Sequence, residues 1–259
     1  MELVDQVAIV AGVAGAVGGA VARRFAAEGA RLVLADEDED ALAQVGESLR
    51  GAETPSESVP LDLASEPQIQ WLVERALSRF GRIDILVHAM ATAEDEPWDE
   101  PGPAAWARRL RSLTSCALCC RNVAPAMRAR GRGRIVNVAA TAGRYRSAYF
   151  RPEGASGTAE ACASASGGVL ALTRELAMEL GPHGITVNAV VPGWILTERS
   201  ARAWNGLADG ARRKTIAEIS LGRPGRPEEV AGAVLFLASD ASSYVSGTSL
   251  DVNGGWWMS

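Results

Sequence analysis

The sequence predicts an α/β fold: one domain on a doubly wound, mostly parallel seven-stranded sheet with helices on both faces. Three observations carry this. Short apolar runs alternate with longer stretches in which apolar residues recur at helical spacing, from residue 7 to residue 252. Such alternation implies right-handed crossovers and a sheet buried on both sides. The first apolar run passes through a Gly-rich turn directly into a helical pattern. The length of 259 residues supports one sizeable core without a metal or disulfide staple.

Each element has its own justification. Residues 7–10 form an apolar strand, and Val17, Ala20, Val21 and Phe25 then recur at helical spacing up to Glu28 and Gly29. Strands are expected at 32–35 (ending at Asp36), 58–61 (ending near Asp62), 83–88, 135–138, 185–191 and 249–252. Helices are expected at 41–49, 67–79, 158–180 and 228–238, with one long helix over 106–127. Residues 94–103, acidic and Pro-rich, read as a surface loop. Two further segments look inserted: 143–156, and 197–221 after the sixth strand, the latter a substrate lid. Both emerge where ligands of doubly wound sheets sit, at the carboxyl ends of strands.

Composition narrows the function classes. Hydrophobic residues make up 47% and charged residues 22% of the chain, which excludes a largely disordered or fibrous protein. A net charge of −5 gives no footprint for nucleic acid. No apolar run approaches the roughly 18 residues of a membrane span, and the start lacks the basic head of a signal peptide. A cytoplasmic enzyme with a small-molecule substrate is expected. Of 26 basic residues only Lys214 is a lysine, and the only tyrosines are Tyr145, Tyr149 and Tyr244.

The Gly-rich turn follows a strand and opens a helix, the context a dinucleotide site requires. Gly12 would make the tight turn. Gly18 would let the helix start, with Gly15 and Val17, approach a pyrophosphate. Asp36 suits a ribose diol, and its carboxylate would repel a 2′-phosphate, so NAD(H) is favoured over NADP(H).

The chain resembles the single-domain short-chain dehydrogenases/reductases nearly end to end. Gly12 to Gly18 is similar to that family's TGxxxGxG turn, and Asp62-Leu63 to its adenine-contacting pair. Residues 81–87, 134–138, 184–193 (with Pro192 and Gly193), 226–230 and 246–255 match its later signatures. The resemblance implies a Rossmann fold, a nicotinamide cofactor that Thr197 also helps to hold, and a homo-oligomer such as a dimer or tetramer. It also implies an Asn-Ser-Tyr-Lys catalytic set, and here the chain departs. The Ser position is Ala140, the Tyr position Cys162, the Lys position Ser166 and the Asn position Ser112. No YxxxK exists anywhere, since four residues before Lys214 stands Gly210.

Other groups must then supply any acid/base chemistry. His88, at the end of the fourth strand, is either a general acid/base or a filler of the space of the family's Asn. Tyr145 and Tyr149 lie in the 143–156 insertion, either reaching the site or decorating a surface loop. Cys162 is a tunable thiol or a small apolar filler. Cys116, Cys119 and Cys120 share a helix without zinc spacing, so no metal is expected. Three functions are compatible: an atypical NAD(H)-dependent oxidoreductase in specialised metabolism, a redox-neutral cyclase, isomerase or dehydratase, and a non-catalytic NAD-binding protein.

Overall fold

Seven parallel strands form one sheet in the order β3-β2-β1-β4-β5-β6-β7 in the computed structural model, which describes residues 1–50, 54–90, 103–144, 159–206 and 208–258. The strands are β1 (Val7–Ala11), β2 (Arg31–Asp36), β3 (Ser56–Pro60), β4 (Ile85–His88), β5 (Gly133–Val138), β6 (Ile185–Pro192) and β7 (Ser249–Val252). The order reverses between β1 and β4, which places the ligand crevice of such a sheet at the carboxyl ends of those two strands. In register, Ala11 pairs with Ala35 and with His88, and His88 with Asn137. The last residues of β1, β2, β4 and β5 therefore share one edge.

Helices cover both faces because the central strands carry apolar residues on both. On one side, α1 (Ala16–Ala27) and α9 (Pro227–Ala238) pack Val21, Phe25, Val230 and Val234 onto Val10, Leu34, Val87 and Val190. On the other, α3 (Glu66–Phe80), α5 (Arg111–Arg130) and α6 (Ala159–Leu180) bring Ile69, Leu72, Cys116, Val123, Met127 and Val169 against Ile9, Val33, Leu86 and Ile135. Cys116, Cys119 and Cys120 belong to this second core. Burial pushes the Cys119 thiol up, and a hydrogen bond with Cys120 together with burial does the same for Cys116. Among the described residues no three His, Cys, Asp or Glu side chains are grouped to hold a metal.

The amino edge of the sheet is pinned by Asp84, 2% exposed. Its Oδ2 accepts from the Val7 N–H at 2.9 Å and from Arg82 Nε at 2.6 Å. That bond ties the start of β1 to the start of β4.

One expectation is corrected. The single long helix over 106–127 is two helices, α4 (Pro103–Arg109) and α5, separated at Leu110, where φ and ψ are −90° and 7°. Apolar periodicity alone does not register such a one-residue break. The 197–221 segment carries two helices, α7 (Glu198–Gly206) and α8 (Asp209–Glu218), and the remaining helix, α2 (Glu39–Arg50), lies at the expected place. The loop expected at 94–103 and the insertion at 143–156 lie almost wholly outside the described residues.

Candidate active site

The first wall of the crevice is the Gly-rich turn. Gly12 has φ +87°, and a Cβ there would lie 2.5 Å from the Met90 nitrogen and 2.6 Å from the Ala89 carbonyl carbon. A Cβ on Gly18 would overlap the Gly12 carbonyl oxygen. Only glycine permits both the turn and this approach of helix to strand. The Gly12 N–H donates to the Ala35 carbonyl at 2.9 Å, so the turn is held to the end of β2. Gly15 is the N-cap of α1 without a side chain to satisfy the first-turn N–H groups, and Val17 packs toward the core. A helix start in this condition favours an anion.

Asp36 closes this wall. Its side chain is 8% exposed; Oδ2 accepts from the Ala14 N–H at 2.8 Å and Oδ1 from the Asp38 N–H at 3.2 Å. The carboxylate is fixed against the turn itself. Gly12, Gly15, Asp36, Glu37, Leu63 and Met90 line a cleft of about 170 Å³ here. The glycine cradle, the open helix start and the fixed carboxylate fit a dinucleotide: pyrophosphate at the turn and ribose hydroxyls at Asp36.

The second wall comes from the end of β3. The Asp62 N–H donates to Gln68 Oε1 at 2.7 Å, and Asp62 Oδ1 accepts from the Ala64 N–H at 2.7 Å and from Arg111 Nη2 at 2.6 Å. Partial burial works to raise the Asp62 pKa, but the Ala64 amide and the Arg111 guanidinium together hold it below the ordinary carboxylate value. The same Arg111 Nη2 donates to Glu37 Oε2 at 2.6 Å. Glu37 and Arg111 stand 74 positions apart, and sequence reasoning missed both. A carboxylate beside Asp36 was visible, but nothing local showed that the first residue of α5 would reach it.

The far wall holds the positions expected to do chemistry. After β5 a short 3-10 turn, Thr141–Gly143, packs on α6. Ser166 Oγ accepts from the Ala140 N–H at 3.2 Å, and Ser166 is 4% exposed. Cys162, one turn earlier, is 8% exposed. Thr141 Oγ1 donates to the Pro192 carbonyl, and the Gly193 N–H donates to the Val252 carbonyl at 3.0 Å. This links the ends of β5, β6 and β7. Thr197 begins α7: its Oγ1 accepts from the Ser200 N–H at 3.1 Å. Trp204 of α7 meets Trp194 edge-on, ring centroids 4.5 Å apart, which docks that helix beside the end of β6. Ser112 is 6% exposed on α5. Tyr145 and Tyr149 lie outside the described residues.

His88 sits deeper than its position at a strand end suggested. It is 1% exposed, Nε2 lies 2.9 Å from Ser115 Oγ, and Nδ1 is buried without a hydrogen-bond partner among the described residues. Burial lowers its pKa to about 4, so the ring is neutral near pH 7. The imidazole thus meets Ser115 of α5 from within the core, on the side of the sheet that α5 covers. The sequence could not show which way the ring points.

Comparison with known proteins extends the picture. Residues 12–257 match the family model described as enoyl-(acyl carrier protein) reductase. The chain is 38% identical over 254 residues to cis-4-hydroxycyclohexanecarboxylate dehydrogenase of Sinomonas cyclohexanicum, covering 97% of this chain and 96% of that one. It is 33% identical to the short-chain reductase protein NovJ of Streptomyces niveus, covering 97% of this chain and 94% of the relative. Among solved structures, levodione reductase superposes with a TM-score of 0.86 at 29% identity, covering 98% of both chains.

Proposed function

Since the chain belongs to the short-chain dehydrogenase/reductase family, we propose that it is an NAD(H)-dependent oxidoreductase that works without that family's Tyr–Lys proton relay. The observation that carries the reading is Asp36, whose carboxylate is anchored by the Ala14 amide inside the Gly-rich cradle. Gly12, Gly15, Val17 and Gly18 would hold the pyrophosphate, Asp36 the adenosine ribose, Asp62 and Leu63 the adenine, and Pro192, Gly193 and Thr197 the nicotinamide half. The cofactor supplies hydride transfer, and the protein supplies position and electrostatics.

The far wall supports the missing relay. Ala140 has no hydroxyl, Cys162 stands for Tyr, and Ser166 for Lys with its hydroxyl already engaged by the Ala140 N–H. Losing a general acid costs about 10²–10⁴-fold, which suits a substrate whose product needs little proton help, such as an enone or an iminium. Tyr145, Tyr149 and Cys162 are the groups proposed to assist it, and His88 is proposed to position Ser115. The substrate is a small to medium organic molecule of specialised metabolism, under a lid formed by 197–221. A cyclic enone is the first class to try, because the relative from Sinomonas is named for a ring substrate, a hydroxycyclohexanecarboxylate. The protein is proposed to be cytoplasmic and a homo-oligomer.

The test incubates the protein with NADH and a panel of cyclic ketones, enones and iminium compounds, following loss of NADH absorbance. Reduction of an enone or iminium with negligible turnover of simple ketones is expected. Ketone turnover typical of the family would refute the missing relay, and a substrate converted equally well without cofactor would favour a redox-neutral enzyme.

A further inference from the structure

We propose that Glu37 and Arg111 form a lock on cofactor choice: Glu37 occupies a guanidinium that would otherwise receive a 2′-phosphate, so selectivity for NAD(H) rests on this pair as well as on Asp36. The inference rests on the dinucleotide reading above and deepens it.

Asp36 begins an unbroken acidic run, Asp36-Glu37-Asp38-Glu39-Asp40. Such a run repels a phosphate, which carries about −1.5 to −2 charge near neutral pH. Among the described residues, Arg111 is bonded into this run. Its Nη2 lies 2.6 Å from Glu37 Oε2 and 2.6 Å from Asp62 Oδ1. It therefore spans the lips formed by the ends of β2 and β3, on either side of the cleft lined by Asp36, Glu37 and Leu63. A guanidinium has five N–H donors in a fixed fork and binds phosphate in paired fashion. What opposes that here is the negative charge of the two carboxylates that meet at its Nη2. Asp62 is also held by the Ala64 amide, whereas the Glu37 side chain is half exposed. Glu37 is the removable half of the lock.

The roles of the residues can be separated by a double-mutant cycle. Glu37→Gln removes the masking charge and leaves Arg111 tethered by Asp62 beside the ribose site. NADPH affinity is expected to rise about tenfold, the scale of one charge-assisted bond at a partly exposed site. NADH affinity is expected to change by less than the NADPH affinity does, because NADH has no 2′-phosphate to bring to the freed guanidinium. NADH stays the tighter ligand while Asp36 is in place. Arg111→Met alone leaves Glu37 unmasked and is expected to weaken NADPH binding. Glu37→Gln combined with Arg111→Met is expected to lose most of the tenfold gain, because the receiving group is gone.

Calorimetric titration of the four proteins with NADH and with NADPH reads every corner of the cycle without requiring turnover. A Glu37→Gln protein with no gain for NADPH overturns the lock, and so does a double variant that keeps the full gain. These outcomes differ from failure of the functional reading, in which the wild-type chain binds neither cofactor.

Discussion

Replacing Gly12 with Ala is the sharpest perturbation of the cradle. The new Cβ would lie 2.5 Å from the Met90 nitrogen, 2.6 Å from the Ala89 carbonyl carbon and 2.7 Å from the Met90 Cα. All three are backbone atoms, so no side chain can swing aside. Ordinary contacts between such atoms are about 3.5–4.0 Å, so the turn and the end of β4 must part by about 1 Å. The backbone at φ +87° adds about 1–2 kcal/mol for a residue with a Cβ. Overpacking adds about 1–3 kcal/mol. The total, roughly 2–5 kcal/mol, lies below the stability of most folded domains, so the chain should still fold. Its Tm should fall by about 4–20 °C. A turn displaced by about 1 Å should weaken cofactor binding on the order of 10²-fold. NADH fluorescence titration beside a thermal melt measures both. An affinity within threefold of wild type, with an unchanged Tm, would refute the claim that this turn is tightly packed and holds the cofactor.

Three other perturbations follow from the same structure. Asp84→Ala strands the buried Val7 N–H and releases Arg82, at about 2–4 kcal/mol and a Tm about 4–15 °C lower; because Asp84 lies at the opposite edge of the sheet, a folded variant with altered NADH affinity would contradict this purely structural role. His88, with a folded pKa near 4 against an ordinary 6.5, takes up its proton more readily in the unfolded chain. Its contribution is present in full above about pH 6.5 and is lost as pH falls toward 4, by about 3 kcal/mol. His88→Gln should flatten that part of a urea-midpoint profile, and parallel wild-type and variant profiles would rule the mechanism out. Cys162→Tyr with Ser166→Lys should not bring ketone turnover, because the Lys would stand at a buried site whose hydroxyl now serves the Ala140 N–H; a Tm drop without activity is expected, and efficient ketone reduction would show that the far wall had room for the relay.

The architecture was legible because strand and helix periods differ and because each βα unit repeats the same pattern. The places of Asp36 and Gly12 were legible because they follow from local pattern: one ends β2, the other turns after β1. His88 was only half legible. Its place at the end of β4 was evident, but its burial against Ser115 depends on α5, 27 residues away. The break at Leu110 was hidden because apolar residues on both sides keep a helical spacing. The Arg111 bridge was hidden for a related reason: ion pairs across a crevice join residues that no local pattern connects.

Binding of NAD(H) in this crevice through the Gly-rich turn and Asp36 is the claim on which the other assigned roles rest. Titrating the wild-type protein with NADH and with NADPH in a calorimeter tests it most directly. Saturable binding of NADH is expected, tighter than that of NADPH by at least about tenfold, the scale of one unfavourable charge at a partly desolvated site. Equal or tighter binding of NADPH would contradict the role of Asp36, and no binding of either would contradict the claim itself.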